Sequence, residues 1–211
     1  MKEFRFKIKT KRPEEIYRDV FEYFNDEQAF KYSTSKSMMK TQEKITLRAL
    51  EILNIKKNEI VLDAGCGCGF SSIVLKELGF NVVSIDIVKR LLFAYQNPEL
   101  NPILADMRFP PFKEAAFKAI ISISALQWIY TELNNPIMEK NLVKLMEDFY
   151  RILKPQGKIV FQFYPKNDQI MDRIGSLFKR SNFFSGKYII DNLKNPRKRK
   201  IFLFLTKLNE K

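Results

Sequence analysis

The chain has 211 residues, 45% of them hydrophobic, enough for one domain with a full sheet covered on both faces. Its apolar runs fall short of the roughly 18–20 residues a membrane span needs, and the opening Met1–Lys9 lacks the apolar core of a signal peptide. Neither membrane insertion nor export is expected. The net charge of +13 is unevenly placed: residues 1–58 carry +5, residues 59–150 carry −3 and residues 151–211 carry +11. Such concentration suits a polyanionic partner, because each phosphate contact by Lys or Arg releases a counterion. No histidine occurs anywhere, which excludes every mechanism with an imidazole base. The two cysteines, Cys66 and Cys68, stand one residue apart inside a glycine turn. That spacing disfavours a disulfide, and two thiols without histidine make no closed zinc site, so no metal and a reducing cytoplasm are expected.

In chain order, residues 1–58 read as a basic tail and helical cap, with helices over 14–53 and Thr41–Leu53 leading directly into residues 59–211, the main domain. From residue 59, short β-branched runs alternate with amphipathic segments, the pattern of a parallel sheet with crossover helices. Glu59–Ala64 is the first strand, Phe70–Leu78 a helix stopped by Gly79, Asn81–Asp86 the second strand, and Lys89–Tyr95 a helix. Pro102–Ala105 is a short third strand and Phe117–Ser124 the fourth. A long helix over Ile137–Leu153 ends at Lys154-Pro-Gln-Gly157 and is followed by a fifth strand, Lys158–Phe163. After a helix over Gln169–Arg180, the strands Gly186–Asp191 and Lys200–Thr206 are joined by only eight residues, so they run antiparallel.

The strongest local signal is Val61-Leu-Asp-Ala-Gly-Cys-Gly-Cys-Gly69 between a strand and a helix. Glycines at 65, 67 and 69 let the backbone turn tightly beside a ligand, where the helix start offers free N–H groups. Dinucleotide sites share such turns. Here Asp63 precedes the first glycine, placed to hold an amino-acid ammonium directly or through water. Asp86 closes the second strand, where an acid accepts both ribose hydroxyls, and Ala105-Asp-Met107 is placed to bracket an adenine through Asp106 and the Met107 backbone. Three acids at strand ends around this turn favour S-adenosylmethionine over a nicotinamide dinucleotide. Cys66 and Cys68 read as small side chains in a crowded turn, since a nucleophilic cysteine belongs beside the substrate, after the fourth or fifth strand.

At the end of the fourth strand stands Ile121-Ser-Ile-Ser-Ala-Leu-Gln-Trp128, and after the fifth Phe161-Gln-Phe-Tyr-Pro-Lys-Asn167. The Asn/Asp-Pro-Pro-aromatic motif that grips exocyclic adenine amines is absent. Trp128 and Tyr164, with Gln127, suit a planar base held by stacking and an edge hydrogen bond. These segments, with Leu104-Ala-Asp-Met107, Arg12-Pro-Glu14, Glu27–Tyr32, Gln42 and Tyr188–Leu205, closely resemble the small-subunit ribosomal RNA (guanine-N7)-methyltransferases of eukaryotes and their archaeal relatives.

The resemblance implies a class I, Rossmann-like α/β fold: a seven-stranded, mostly parallel sheet with an antiparallel C-terminal hairpin, helices on both faces and an N-terminal helical segment. It implies that Tyr32 and the turn Gly65, Cys66, Gly67 and Gly69 contact the cofactor, with Ile87 and Ser124 completing the set. Gln127, Trp128 and Tyr164 then lie near the guanine. It further implies a small-subunit RNA substrate and a small zinc-binding activator protein. The activator is expected at the edge formed by the third strand and the helix bearing Leu91, Leu92, Phe93 and Tyr95. Two departures stand out: Ser33-Thr-Ser-Lys-Ser37 replaces the family's Arg–Asn–Ser–Arg run, and the long basic extension of eukaryotic members is missing, leaving Lys194–Lys200 as a shorter basic patch. A tRNA wobble-uridine methyltransferase, a small-molecule methyltransferase and an assembly factor with dispensable catalysis are the alternatives. Guanine N7 itself loses no proton on methylation, which a chain without histidine accommodates.

Overall fold

The computed structural model describes residues 11–17, 19–95, 97–195 and 198–209. Four helices come first: α1 (Pro13–Ile16), α2 (Val20–Tyr23), α3 (Asp26–Ser33) and α4 (Lys36–Leu53). Asp19, Asn25 and Ser35 cap the last three by accepting backbone N–H bonds. The remainder alternates β1 (Ile60–Ala64), α5 (Phe70–Glu77), β2 (Asn81–Asp86), α6 (Lys89–Phe93), β3 (Ile103–Leu104), β4 (Phe117–Ile123), α7 (Pro136–Ile152) and β5 (Leu153–Phe163). It closes with α8 (Asp168–Arg180), β6 (Phe184–Asp191) and β7 (Lys200–Lys207). The strands form one sheet in the order β3-β2-β1-β4-β5-β7-β6. β1 to β5 are parallel, and β7 runs antiparallel to both β5 and β6. The sheet, the hairpin and the edge position of β3 match the sequence expectation.

Both faces are covered, and the strands show it residue by residue. Leu62 of β1, Ile120 of β4 and Phe161 of β5 face the cluster built with Leu142, Leu145 and Phe149 of α7 and Ile170 and Ile174 of α8. Their neighbours Val61, Ile121 and Val160 face the opposite cluster, built with Ile45, Ala49 and Leu53 of α4 and Leu75 of α5. This period of two, with apolar side chains on both sides, marks a parallel sheet buried on both faces. Each such side chain contributes about 1.5–3 kcal/mol by leaving water. Helix α4, expected as part of the cap, therefore packs into the core of the sheet.

The strands β3 and β5 depart furthest from expectation, while β6 begins two residues early, at Phe184, and α6 ends two residues early, at Phe93. β3 is only two residues long. β5 begins at Leu153, directly after α7, because Leu153 pairs with Phe117 while Lys158 pairs with Ala119. Lys154–Gly157 thus bulge out opposite Lys118, with Gln156 at a φ of 57°. The Pro-Gln-Gly signal marks a bulge inside a strand, not a loop before one.

Candidate active site

A cavity of about 750 Å³ opens at the carboxyl ends of the strands and is roofed by residues of α1 to α4. It lies where the strand order reverses between β1 and β4, the crevice in which open α/β sheets bind ligands.

The glycine turn forms one end. Gly65, Gly67 and Gly69 have φ values of 80°, 57° and 87°, in the left-handed region that side chains resist. A Cβ on Gly65 would lie 2.6 Å from that of Ala125, and one on Gly67 would stand between Leu91 and Tyr32 on the cavity wall. Gly69 lies off the wall, packed beneath the ring of Tyr95. Asp86 lines the cavity and steadies the turn: its oxygens accept from the backbone N–H groups of Gly67 (2.8 Å) and Val88 (2.7 Å). Burial pushes its carboxyl up to about 6 despite those donors. Ile87 follows it on the wall.

Asp63 sits fully buried behind the turn, not on the wall. Its Oδ2 accepts from the Ser71 (2.5 Å) and Ser72 (2.6 Å) hydroxyls, while Oδ1 has no partner among the described residues. Burial raises this carboxyl also to about 6. An unpartnered buried carboxylate oxygen is costly unless a cation or donor reaches it. The orphaned oxygen, the open cradle at Gly67 and the acid at the end of β2 together fit S-adenosylmethionine.

Asp106 and Met107 line the same end. Arg108 already clasps the Asp106 carboxylate, its Nε 3.0 and 2.9 Å from the two oxygens, a partner two residues away that sequence reading passed over. Ser124, at a φ of 57°, is tied to β5: its N–H donates to the Gln162 carbonyl at 2.8 Å and its hydroxyl to Gln162 Oε1 at 2.9 Å. Tyr32 packs edge-on against Phe24 and tilted against Phe70. Cys66 and Cys68 are free and buried; burial drives the first thiol well above its ordinary value and the second to about 12. Neither is a thiolate at neutral pH, so neither serves as a nucleophile.

The other end is aromatic. Gln127 and Trp128 occupy a 3₁₀ turn, Leu126–Trp128. Gln127 Nε2 donates to the Ser124 carbonyl (2.7 Å), which fixes the amide and leaves its buried Oε1 without a partner among the described residues. Trp128 and Tyr164 both reach the cavity, but with company the sequence did not announce. Tyr23 stacks on Trp128 (centroids 5.8 Å, planes 28° apart), and Phe24 leans on it at 6.4 Å. The Tyr164 ring carries the Arg12 guanidinium at 5.2 Å and the Lys200 ammonium at 5.0 Å, and Lys200 donates to its hydroxyl (2.8 Å). Arg12 also donates to the Tyr164 carbonyl at 2.6 Å. Tyr23 and Phe24 of the cap thus pack, half-buried, against Trp128, and the expected pair of open stacking faces is partly occupied. Arg12, Glu14, Tyr23 and Phe24 were missed as site residues. The aromatic density of Tyr17–Phe24, in so short a polar segment, was the signal available.

At the β3 edge, Ile103 and Leu104 are exposed, and Phe93 is 79% exposed. Leu91 and Tyr95 instead turn inward and are buried, so the apolar surplus expected of α6 reduces to Phe93 and part of Leu92. Of the basic run Lys194–Lys200, Pro196 and Arg197 lie outside the described residues, as does the tail 1–10. No helix among the described residues is long and apolar enough to cross a membrane.

Sheet order, glycine turn and acid-lined crevice define a class I S-adenosylmethionine-dependent methyltransferase. Residues 62–161 match the family model described as Methyltransferase domain, and residues 11–99 match that of protein-L-isoaspartate(D-aspartate) O-methyltransferase. A solved putative S-adenosylmethionine-dependent methyltransferase from Methanococcus maripaludis superposes with a TM-score of 0.66 at 15% identity, covering 89% of this chain and 95% of that one. Curated sequences narrow the class. The 18S rRNA (guanine(1575)-N(7))-methyltransferase of Saccharomyces cerevisiae is 39% identical over 188 residues, 86% of this chain and 67% of the relative. The 18S rRNA (guanine-N(7))-methyltransferase of Schizosaccharomyces pombe is 31% identical over 199 residues, 92% and 74% of the respective lengths. The chain belongs to this family of 18S rRNA (guanine-N7)-methyltransferases.

Proposed function

We propose that this chain transfers the methyl group of S-adenosylmethionine to N7 of a guanine in small-subunit ribosomal RNA during ribosome biogenesis in the cytoplasm. The observation that carries the reading is Gln127: an acceptor held at the cavity wall, beside Trp128, with its Oε1 unspent. An acceptor there stabilises the positive charge that develops on the imidazole ring of guanine as N7 is alkylated.

The cofactor supplies an electrophilic methyl group. Asp63 would hold its ammonium with the free oxygen or through one water, and Asp86 would accept from the ribose hydroxyls. Tyr32, Gly65, Cys66, Gly67 and Ile87, on the cavity wall, would line the stretch between them, Asp106 and Met107 would bracket the adenine, and Ser124 would border the methyl. Gly69 acts indirectly, by letting Tyr95 pack beneath the turn. Guanine N7 presents an in-plane lone pair and no proton, so the protein aligns the reactants and removes nothing. That agrees with a chain lacking histidine and with site thiols and phenols that burial keeps protonated. Trp128, braced by Tyr23, holds the base on one side and Tyr164 borders the other, while Lys200 and Arg12 place positive charge where the RNA backbone enters.

We also assign the β3 edge to a small zinc-bearing activator protein. The unpaired backbone of Ile103–Leu104 and the exposed Phe93 suit strand addition with an apolar contact. A purified chain that is monomeric, soluble and fully active alone would remove this assignment. The reaction is tested by incubating the chain, with and without the activator, with isotopically labelled S-adenosylmethionine and small-subunit RNA. After digestion the label is expected in 7-methylguanosine; label in a uridine or an exocyclic amine overturns the reading.

A further inference from the structure

Glu14 is a carboxylate on the cavity wall, in the segment that also supplies Arg12, to which the proposed chemistry gives no role. It sits in α1, lines the cavity, and its side chain is only 7% exposed. Its Oε1 has no hydrogen-bond partner among the described residues. Arg12 Nη1 is 4.0 Å away, beyond a hydrogen bond, and spends its N–H on the carbonyls of Tyr164 (2.6 Å) and Pro165 (3.3 Å). Burial raises the Glu14 carboxyl above its ordinary value, and burial, with smaller contributions from Tyr17 and Glu14, raises the Tyr23 hydroxyl. Glu14 therefore lines the same cavity as Tyr23, which stacks on Trp128, and as Arg12, which covers Tyr164.

A carboxylate taken out of water without a full partner is retained at a cost unless a ligand supplies the missing donors. Among the four bases only guanine carries two adjacent donors, N1–H and the N2 amine, on the edge remote from N7. A carboxylate accepts both at once, as it accepts the paired donors of a guanidinium. Adenine presents a bare N1 there, and its lone pair repels the carboxylate.

We propose that Glu14 is the specificity residue for the target base, accepting from N1–H and the N2 amine of guanine while N7 faces the methyl group. This rests on the guanine-N7 reading above and adds to it a means of choosing guanine. The geometry also gives the cap its purpose: α1 carries the base-reading group to a pocket whose chemistry is built by the sheet.

The test compares kcat/KM on a small-subunit RNA fragment carrying guanosine at the mapped position with the same fragment carrying inosine, which keeps N7 and N1–H but lacks the amine. The wild-type chain should prefer guanosine by about tenfold to a hundredfold, the worth of one hydrogen bond to a charged group. Glu14→Gln should lower activity on guanosine by a similar factor and bring the ratio near one, with S-adenosylhomocysteine affinity unchanged in calorimetry. Glu14→Asp, which keeps the charge at shorter reach, should retain part of the preference. A wild-type chain indifferent to inosine overturns the assignment, as does a Glu14→Gln chain that keeps the wild-type ratio. If Glu14→Gln does not fold, a full wild-type ratio in Glu14→Asp overturns it. A wild-type chain that methylates no guanosine N7 in this RNA removes the functional reading as well, and so is distinguished from failure of Glu14 alone.

Discussion

Lowering the pH from 7 to 5 should loosen cofactor binding while relieving the free protein of a burden. Asp63 and Asp86 are both buried and both raised to about 6, against an ordinary aspartate at 3.8. For an acid raised on folding, stability is greatest below the unfolded value and is lost as pH rises through the folded one. By the size of the gap, each ionised carboxylate costs the free fold on the order of 3 kcal/mol above pH 6. Cofactor binding has the opposite sign, because the ammonium and the ribose hydroxyls favour the ionised forms. A group titrating near 6 is about 90% ionised at pH 7 and about 10% at pH 5, so each acid should contribute roughly a tenfold loss of affinity. Calorimetry of S-adenosylhomocysteine across this range should therefore show a ten- to hundredfold weakening. Asp63→Asn should bind more weakly at pH 7 and show the shallower slope of Asp86 alone. Affinity constant within twofold from pH 7 to 5, or a slope unchanged in Asp63→Asn, would refute the assignment of the ammonium to Asp63.

Asp86→Ala should weaken S-adenosylhomocysteine at pH 7 by tenfold or more, since it removes a charge-assisted acceptor worth about 1.5–3 kcal/mol; unchanged affinity in calorimetry would sink the placement. Trp128→Ala should lower methyl transfer roughly ten- to a hundredfold through about 1–3 kcal/mol of lost base stacking. It also strips Tyr23 of its stacking partner, yet cofactor affinity should barely move. Gly69→Ala places a Cβ 2.5–2.9 Å from three ring carbons of Tyr95 at a φ of 87°. Overpacking and backbone strain of about 2–4 kcal/mol should lower the melting temperature by about 5–15 °C; an unchanged melting temperature would show that Tyr95 moves freely.

Much of the fold was legible because its signals are local. β-Branched runs, the Gly79 stop after the first crossover helix, and an eight-residue link between β6 and β7 each carry their meaning within a short stretch. The glycine turn and the acids ending β1 and β2 were legible for the same reason. What escaped reading depends on contacts far apart in sequence or on competition between partners. Arg12 reaches the Tyr164 carbonyl across 152 positions, and nothing in Arg12-Pro-Glu14 announces that address. Trp128 reads as an open stacking platform until Tyr23 is seen to cover it. Lys154–Gly157 has the composition of a loop, yet the pairing of Leu153 with Phe117 makes it a bulge. Asp106 illustrates the competition: its position suits adenine, but Arg108 takes much of its hydrogen-bonding capacity first.

The site of methylation can be read from a chemical property of the product. N7-methylguanosine is cationic and labile, so borohydride reduction followed by aniline cuts the RNA chain at the modified residue. Small-subunit RNA from cells carrying the protein should be cut at one guanosine that stays intact in a deletion strain, and the cut should return when the gene is restored. An RNA left whole in both strains, with the transferred methyl found on a uridine, an exocyclic amine or a small molecule, would rule out methylation at guanine N7.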